Sequence, residues 1–453
     1  MKSPSLKKYI KFNHQPFDFI RKKQFLKIKE TVSYAYNNSK FYRRLYDNAK
    51  LSPDKIKEFS DFEKLPLVRR KDLHKYNWDI PAVSKDKWID ISTTSGTTAR
   101  PIYLPWTKKD FLRLAQITYI LHGLAGIRKK DLVQITYPLG MGMWIAGLHN
   151  WLGLYKKESC SLRFGPGFTE SQLHNMEKLR PDVLLGSPSF LFKLGAYAKD
   201  RKMQKKIKPR LICVSGENIV NHDFKFNDLG VKLEKVWEGS DIRPVYGASE
   251  GPICGVVCNK GQGYHIPAQF FYLEVLDIKT HNIVKPGNRG VLAITVFDAQ
   301  AFPLIRYVLG DITSSFEGPC QCGWNSLRLG PILGRVDRLL KVKGVLINLE
   351  DIRSLVLKNK DVEIAYLEII KDDNLIDQVV VYISFNNKFD NFNRKRVKDD
   401  IKFKIKSKFR INTKIFVKSN EKLLKKVWFT EKNERRRKPV YIFDDRGAGW
   451  QNK

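Results

Sequence analysis

The chain contains 453 residues, of which 82 are basic and 47 acidic, so its formal charge at pH 7 is +35. Hydrophobic residues make up 42% of the chain and aromatic residues 12%. This composition excludes a disordered chain, a collagen and a small disulfide-knotted protein. The length predicts two or three domains, one of them large enough to bury a substantial core.

The predicted elements begin with amphipathic helices over the first 75 residues, after which short apolar runs alternate with helix-length segments. Strands are predicted at 89–92, 132–136, 183–185, 210–214 and 232–236. The longest uncharged stretch, 137–155, contains a proline and four glycines, which favours a packed strand, loop and helix over a membrane span. The alternation indicates an α/β protein with a partly parallel sheet.

The second part of the chain has a different pattern. Residues 270–306 alternate between strands and turns, which predicts a small β-subdomain. Beyond Gly334, strands are predicted at 339–342, 363–370, 378–385 and 414–417, with a helix at 393–409. The predicted fold is a large N-terminal domain of layered α/β sheets with a β-subdomain (1–334), followed by a small α+β C-terminal lid domain (335–453).

Charge and cysteine content restrict the partners and the compartment. Six cysteines, and an amino terminus without the apolar core of a secretory signal, predict a cytoplasmic protein. The basic excess indicates either a polyanionic partner, such as nucleic acid or an anionic membrane, or lysines spread over a solvated surface. Basic residues cluster between Lys418 and Lys438, but the sequence has no nucleic-acid-binding motif, so no specific nucleic acid is expected.

A loop rich in hydroxyl groups, 92–98, follows the first predicted strand and reads Ser-Thr-Thr-Ser-Gly-Thr-Thr. Hydroxyls and a glycine that lets backbone N–H groups approach a ligand are the parts of a phosphate cradle. The Gly-Lys-Ser/Thr of the usual P-loop does not follow, and an ordinary polar turn is the alternative interpretation.

Three later segments carry further candidates. Tyr246-Gly247-Ala248-Ser249-Glu250-Gly251 offers a carboxylate for Mg²⁺ and a ring that can flank a planar group. In the segment 306–311, Asp311 ends a strand and can accept hydrogen bonds from ribose hydroxyls. The third segment, Gly334-Arg335-Val336-Asp337-Arg338, falls at the predicted domain boundary.

In this order and spacing, the four segments resemble those of the adenylate-forming acyl-CoA synthetases, most closely the phenylacetate-CoA ligase family and its relatives in capsular polysaccharide loci. The resemblance covers nearly the whole chain and includes Phe41-Tyr42-Arg43-Arg44, the segment 65–73, Gly186-Ser187-Pro188-Ser189 and Ser215-Gly216-Glu217. It implies ATP and Mg²⁺ as cofactors, and coenzyme A as the acyl acceptor. The implied cofactor-binding residues are Thr94, Ser95, Gly96, Thr97, Thr98, Tyr246, Gly247, Ser249 and Asp311. Glu250 would hold Mg²⁺, Arg335 would bind the ribose with Asp311, and Asp337 would be the hinge of the lid.

The implied reaction is adenylation of a small carboxylic acid by ATP, followed by acyl transfer to coenzyme A without a protein nucleophile. Acyl transfer to an amine, on an amino sugar or amino acid in cell-surface polysaccharide synthesis, is one alternative. A basic module that binds nucleic acid or membranes is the second. Whether the protein is a homodimer stays open.

The region that should supply the family's C-terminal catalytic lysine departs from the family pattern. Residues 430–440 contain no Gly-Lys pair. Lys432 and Lys438 are the candidate catalytic lysines, Arg436 is a third candidate, and the register among them stays open. If none reaches the site, adenylation would be slow or absent.

The cysteines form a separate constellation. Cys258 and His265 are separated by six residues, and Cys320 and Cys322 share a Cys-Gln-Cys-Gly turn. Three thiolates and an imidazole make a closed tetrahedral set for a structural Zn²⁺. The alternative is a group of unconnected buried thiols, and Cys254 is a substitute candidate for Cys258.

The acyl pocket is expected around Tyr137, Gly140 and Trp144, where the resembled family lines its acid-binding cavity. Aromatic side chains there would suit an aryl or arylacetyl acid. Plain core packing is the alternative, both for these residues and for His149.

Overall fold

The computed structural model describes residues 6–94, 101–140, 142–203, 206–250, 254–261, 263–342, 345–371, 377–385, 391–430, 433–434, 436 and 439–445. The chain divides into two compact units, Met1–Leu333 and Gly334–Lys453. This division falls one residue before the boundary inferred from sequence. That the first unit binds ATP and the acid, and that the second moves as a lid, stays a prediction.

The helices of the first unit are α1 (Leu6–Asn13), α2 (Phe17–Asn38), α3 (Lys40–Asn48), α4 (Phe59–Glu63), α5 (Arg70–Lys75), α6 (Lys108–Ala125), α7 (Ile145–Lys157), α8 (Thr169–Leu179), α9 (Pro188–Asp200) and α10 (Asp228–Val236). Local sequence signals mark their ends. For example, the Thr107 hydroxyl caps the start of α6 by accepting from the Asp110 N–H, and Gly126 ends that helix at φ 97°.

The strands of the first unit are β1 (Asp90–Thr93), β2 (Tyr103–Trp106), β3 (Leu132–Ile135), β4 (Cys160–Arg163), β5 (Val183–Gly186), β6 (Leu211–Val214), β7 (Asp241–Gly247), β8 (Cys254–Val257), β9 (Tyr264–His265), β10 (Phe271–Leu276), β11 (Gly290–Val296), β12 (Tyr307–Thr313), β13 (Ser315–Phe316) and β14 (Arg328–Leu329). The main sheet has the order β13-β14-β9-β8-β7-β6-β5-β3-β4, and the five strands from β7 to β4 are parallel. Strands β10, β11 and β12 form a separate antiparallel arrangement, and β1 and β2 form a hairpin. The predicted α/β class with a partly parallel sheet is therefore confirmed.

The central strands are buried on both faces, which explains their continuous apolar sequence. In β5, Val183 and Leu185 belong to one hydrophobic cluster and Leu184 to another. Because successive strand residues point to opposite faces, the sheet separates two cores.

One predicted strand of the first unit is wrong. Residues 232–236 lie in α10, which begins after Asn227, whose side chain accepts from the N–H groups of Leu229 and Gly230. The buried residues of this segment, Leu233 and Val236, are three apart and face one side of a helix. The next strand begins only at Asp241.

The second unit contains α11 (Leu349–Leu357), α12 (Asn391–Phe409) and α13 (Asn420–Trp428), with strands β15 (Gly334–Arg335), β16 (Leu339–Val342), β17 (Val345–Asn348), β18 (Val362–Lys371), β19 (Asp377–Phe385), β20 (Thr413–Val417) and β21 (Ile442–Asp444). Its main sheet has the order β20-β19-β18-β21 and mixes parallel and antiparallel pairs. The predicted elements of this unit are confirmed. In the described ranges of both units, no helix has the length and apolar character needed to cross a membrane.

Candidate functional site

Four parallel strands, β3, β5, β6 and β7, bring their carboxyl ends to one edge of the main sheet. The chain leaves this edge through four of the segments singled out in the sequence, around Tyr137, Gly186, Ser215 and Glu250. Crevices at the carboxyl ends of parallel strands are the usual ligand sites of open α/β sheets. This edge is therefore the candidate active site.

Tyr137 connects three of these segments. Its hydroxyl donates to the Gly186 carbonyl at 2.8 Å and lies 2.7 Å from the Ser215 hydroxyl oxygen. A Cβ on Gly186 would lie 2.0 Å from Thr136 Oγ1, so only glycine allows the strands to approach this closely. Nearby, the Ser189 hydroxyl donates to Glu217 Oε1 at 2.7 Å.

Arg70 joins the Glu250 segment to the start of the hydroxyl-rich loop. Its Nη1 donates to Glu250 Oε1 at 2.5 Å, and its Nη2 donates to the Thr94 hydroxyl at 3.5 Å. Thr94 also pairs with Ile102, whose carbonyl accepts from the Thr94 N–H at 3.2 Å, so the base of the loop is closed. A cation, a carboxylate and the loop base thus form one hydrogen-bonded group.

Sequence reasoning gave Arg70 no role. Its position follows from Val68, whose N–H donates to the Arg306 carbonyl at 3.1 Å, and from Asp72, whose carboxylate accepts from the Arg69 N–H at 2.8 Å. These bonds fix the first residue of α5 beside β12. The only available signal was a pair of arginines at the start of a helix. Nothing in the spacing connects Arg70 to Glu250, which is 180 positions away.

The structure pairs two residues to which the sequence gave separate roles. The Tyr246 hydroxyl donates to Asp311 Oδ2 at 2.6 Å, and both side chains are buried. Gly247 is the last residue of β7, and Ser249 lies partly buried in the loop that follows. In the second unit, Arg335 Nε donates to Asp337 Oδ1 at 3.2 Å, so the expected ribose ligand is paired with the expected hinge residue.

The predicted acyl-pocket segment adjoins the hairpin that carries the hydroxyl-rich loop. The Thr93 N–H donates to the Met143 carbonyl at 2.6 Å. The next residue, Trp144, is the N-cap of α7. Gly142 has φ 145° and packs under the Trp144 ring, where a Cβ would approach the ring to 3.2 Å. Gly140 also has a positive φ, of 138°. Further along α7, burial lowers the pKa of His149 to about 4, so this side chain is neutral at physiological pH.

Several predicted residues lie outside the described residues: Ser95, Gly96, Thr97, Thr98, Lys432 and Lys438. Arg436, the third candidate for the catalytic cation, is described. Its Nε donates to the Phe429 carbonyl at 3.0 Å within the second unit.

The structure brings the four predicted metal ligands together. The ligand atoms of Cys258, His265, Cys320 and Cys322 all lie within 4.8 Å of one another. The sulfurs of Cys258 and Cys320 are 3.8 Å apart, and His265 Nε2 is 3.2 Å from the Cys322 sulfur. Two thiolates at about 2.3 Å from a tetrahedral Zn²⁺ would lie about 3.8 Å apart. The donor set therefore fits zinc.

The surroundings orient this cluster. His265 Nδ1 lies 2.9 Å from the Gly263 carbonyl and donates to it, which leaves Nε2 directed at the thiols. Burial raises the pKa of the Cys258 thiol, but the contact with His265 and the hydrogen bond from the Lys260 N–H together outweigh burial, so the pKa lies below its usual value. Burial raises the pKa of Cys322 to about 12. The side chain of Cys254, the substitute candidate, lies outside the described residues.

Comparison with known proteins finds similar sequences over most of the chain. The chain is 27% identical over 380 residues to the phenylacetate-coenzyme A ligase of Thermus thermophilus, and the matched region covers 83% of each chain. The enzyme of the same name from Pseudomonas putida is 26% identical over 421 residues, covering 89% of this chain and 91% of that one. The chain is similar to these phenylacetate-coenzyme A ligases over most of its length. The resemblance recognised in the sequence is thereby confirmed, although no family model matches the chain.

Solved structures support the fold. A 2-hydroxyisobutyryl-CoA ligase in the postadenylation state is 18% identical, with a TM-score of 0.78 over 93% of this chain and 89% of that one. ATP-bound MatB from Rhodopseudomonas palustris is 15% identical, with a TM-score of 0.58 over 78% of this chain and 68% of that one. The chain therefore shares the fold of acyl-CoA ligases.

Proposed function

We propose that the protein activates a small carboxylic acid with ATP and transfers the acyl group to coenzyme A. The acid's carboxylate attacks the α-phosphate and pyrophosphate leaves. The thiol of coenzyme A then attacks the acyl carbon and AMP leaves. The relatives named above support this reaction class. Coenzyme A is the proposed acceptor, because the phenylacetate-coenzyme A ligases and the 2-hydroxyisobutyryl-CoA ligase named above are coenzyme A ligases.

The observation that carries the proposal is the contact of Arg70 with both Glu250 and Thr94. Adenylation builds negative charge on the α-phosphate, and fixed donors that face this charge accelerate the reaction. The planar guanidinium of Arg70 suits phosphate oxygens, and its contact with Glu250 keeps it at the base of the loop. We assign to Arg70 the role of a phosphate-binding cation, and to the loop 94–98 that of a phosphate cradle.

Glu250 fits the proposed Mg²⁺. This ion is usually bound by one or two carboxylates together with substrate phosphates, and Glu250 is a partly buried carboxylate beside the proposed phosphate site. Bound there, the ion would neutralise phosphate charge. Tyr246 and Asp311 are the proposed nucleoside contacts, while Arg335 as ribose ligand, Asp337 as hinge, and Lys432 or Lys438 as catalytic lysine remain proposals from the sequence.

An aryl or arylacetyl acid is the proposed substrate class. The hydroxyl of Tyr137 fixes its ring next to Gly186 and Ser215. Trp144 and Gly140 border the same segment. A cytoplasmic location, a homodimer and a role in cell-surface polysaccharide synthesis remain sequence-based predictions.

The test is ATP–pyrophosphate exchange with Mg²⁺ and a panel of aryl, arylacetyl, aliphatic and hydroxy acids, followed by thioester formation with coenzyme A. Exchange should occur with one class of acid and be lost in Glu250→Ala and Arg70→Ala. Glu30→Ala removes a carboxylate paired with Lys27 on the surface and serves as the matched control. Absence of exchange with every acid, in a folded protein that binds ATP, would contradict the proposal.

We also propose a structural Zn²⁺ at Cys258, His265, Cys320 and Cys322. Four protein ligands leave no open position for chemistry, so the ion would contribute stability. Metal analysis of the purified protein should find about one zinc per chain. Cys320→Ser and Cys322→Ser should lose it, whereas Cys160→Ser, at an exposed cysteine outside the cluster, should retain it. Zinc that is absent from the wild type, or unaffected by these changes, would refute the site.

A further inference from the structure

The outer face of α12 combines positive charge with an exposed aromatic ring. Val397, Ile401 and Ile405 of this helix are buried in the core of the second unit. Phe403 is 72% exposed. At about 100° per residue, Phe403 lies about 200° around the helix from Ile401 and from Ile405, so it points directly away from the core.

The same helix is strongly basic. Its 19 residues include eight lysines and arginines and two aspartates, for a net charge of +6. Asp400 is engaged by Lys404 at 2.7 Å. Lys402 and Lys406 are exposed and lie about 100° and 60° around the helix from Phe403, both on the same side of it. Within the described ranges, neither of them has a carboxylate within ion-pair distance. Asp399, the other aspartate, is exposed on the outward face four residues before Phe403. One carboxylate does not balance the remaining lysines and arginines, so this face carries an excess of positive charge beside an apolar ring.

We propose that this face of α12 docks on the surface of an anionic membrane, with the helix parallel to the surface. The charge is complementary to lipid phosphates, and the helix is about 28 Å long, enough to contact several headgroups. Phe403 favours the lipid over duplex nucleic acid. The phosphate backbone of a duplex offers no apolar layer for an outward ring, whereas the boundary between headgroups and acyl chains does. Because unpaired bases can stack on an aromatic ring, binding to single-stranded nucleic acid is an outcome of the test below. This docking is independent of the proposed ligase chemistry, because none of the residues assigned to that chemistry belongs to α12.

Flotation of the full-length protein with vesicles tests the proposal. Vesicles of equal parts phosphatidylglycerol and phosphatidylcholine are compared with phosphatidylcholine alone, at about 100 mM salt so that only nearby charges interact. Binding is expected to the anionic vesicles only. Each basic residue at such a surface contributes a factor of about five, so Lys402→Glu/Lys406→Glu should weaken partitioning by more than about 25-fold. Phe403→Ser should weaken it by about tenfold.

Two matched control variants distinguish the contribution of the α12 face from general effects of net charge and of exposed aromatic residues. Lys22→Glu/Lys29→Glu changes the net charge equally at exposed positions of α2, and Phe168→Ser removes a phenylalanine that is 71% exposed in the first unit. Both should bind vesicles like the wild type. The proposal is overturned if anionic vesicles are not bound, or if the controls lose as much binding as the α12 variants. It is also overturned if mixed-sequence DNA or RNA is bound more tightly than vesicles and Phe403→Ser leaves vesicle binding unchanged.

Discussion

Replacing Arg306 by leucine should destabilise the first unit strongly and displace the segment that carries Arg70. Arg306 is buried and forms a bidentate contact with buried Glu274, with Nη2 to Oε1 at 2.8 Å and Nε to Oε2 at 3.2 Å. Its Nη1 also donates to the carbonyls of Glu63 and Leu65. These bonds tie the chain entering α5 to β10 and β12.

The size of the destabilisation follows from the burial of both charged side chains. Removing one partner of a buried ion pair leaves an uncompensated charge and costs about 3–5 kcal/mol. Burial already raises the pKa of Glu274, and the Arg306 guanidinium opposes this rise. Without Arg306 the pKa rises further, so the folded variant binds a proton that the unfolded chain has lost. The free energy of unfolding therefore falls as pH increases from the unfolded pKa of about 4.3 to the raised folded pKa.

Urea unfolding of the wild type and Arg306→Leu at pH 5 and pH 8 checks this expectation. Arg306→Leu should lower the free energy of unfolding by more at pH 8 than at pH 5. Arg306→Leu/Glu274→Leu should recover most of it, because apolar replacement of a buried pair is often neutral. Arg44→Leu, which breaks the exposed pair with Asp79, should cost less than about 1 kcal/mol. An effect of Arg306→Leu as small as that of Arg44→Leu, or one that does not change with pH, would refute the reasoning.

Three further changes follow from the same structure. Arg70→Lys should lower the rate of ATP–pyrophosphate exchange by about 10–100-fold, which is a smaller loss than that of Arg70→Ala. The ammonium group of lysine keeps the positive charge but cannot contact two partners at once as the planar guanidinium does. Equal exchange rates for the wild type and Arg70→Lys would contradict this expectation. Gly186→Ala should lower the stability measured in thermal unfolding by about 1–3 kcal/mol, because the new Cβ would clash with Thr136 Oγ1. Adding Thr136→Ala to this variant should restore part of the lost stability. Unchanged stability of Gly186→Ala would contradict the contact. A strong chelator should lower the Tm of the wild type but not that of Cys320→Ser, and equal shifts in both would contradict the metal site.

The sequence predicted the fold well wherever local patterns decide the structure. The strands β3, β5 and β6 are short apolar runs between helix-length segments, and that pattern was sufficient. Residues 232–236, Lys-Leu-Glu-Lys-Val, were mistaken for a strand because five residues are too few to distinguish the period of a strand from that of a helix. The cap at Asn227, which marks the start of the helix, lies outside this segment.

The candidate site was predictable where its residues follow strand ends, as Tyr137 and Glu250 do. The expectation that Asp311 ends a strand was wrong, because β12 continues through this residue to Thr313. The contacts made by Arg70 were not predictable. They depend on the pairing of Val68 with β12, and long-range pairing of this kind leaves no local signal. The hydrogen bond between Tyr246 and Asp311 joins two strands in different sheets, and for the same reason the sequence assigned these residues separate tasks.

The position of the cysteine and histidine cluster argues for a structural rather than a catalytic role. Glu250 lies in the loop between β7 and β8, whereas Cys258 follows the other end of β8, a strand of four residues and about 13 Å in length. His265 pairs with Val256 across β8 and β9, so the cluster closes the end of this hairpin that faces away from the Glu250 loop. Serine at Cys320 should therefore lower the free energy of unfolding while leaving the acid specificity of exchange unchanged. A variant that stays as stable as the wild type but activates a different acid would show that the cluster shapes the substrate site.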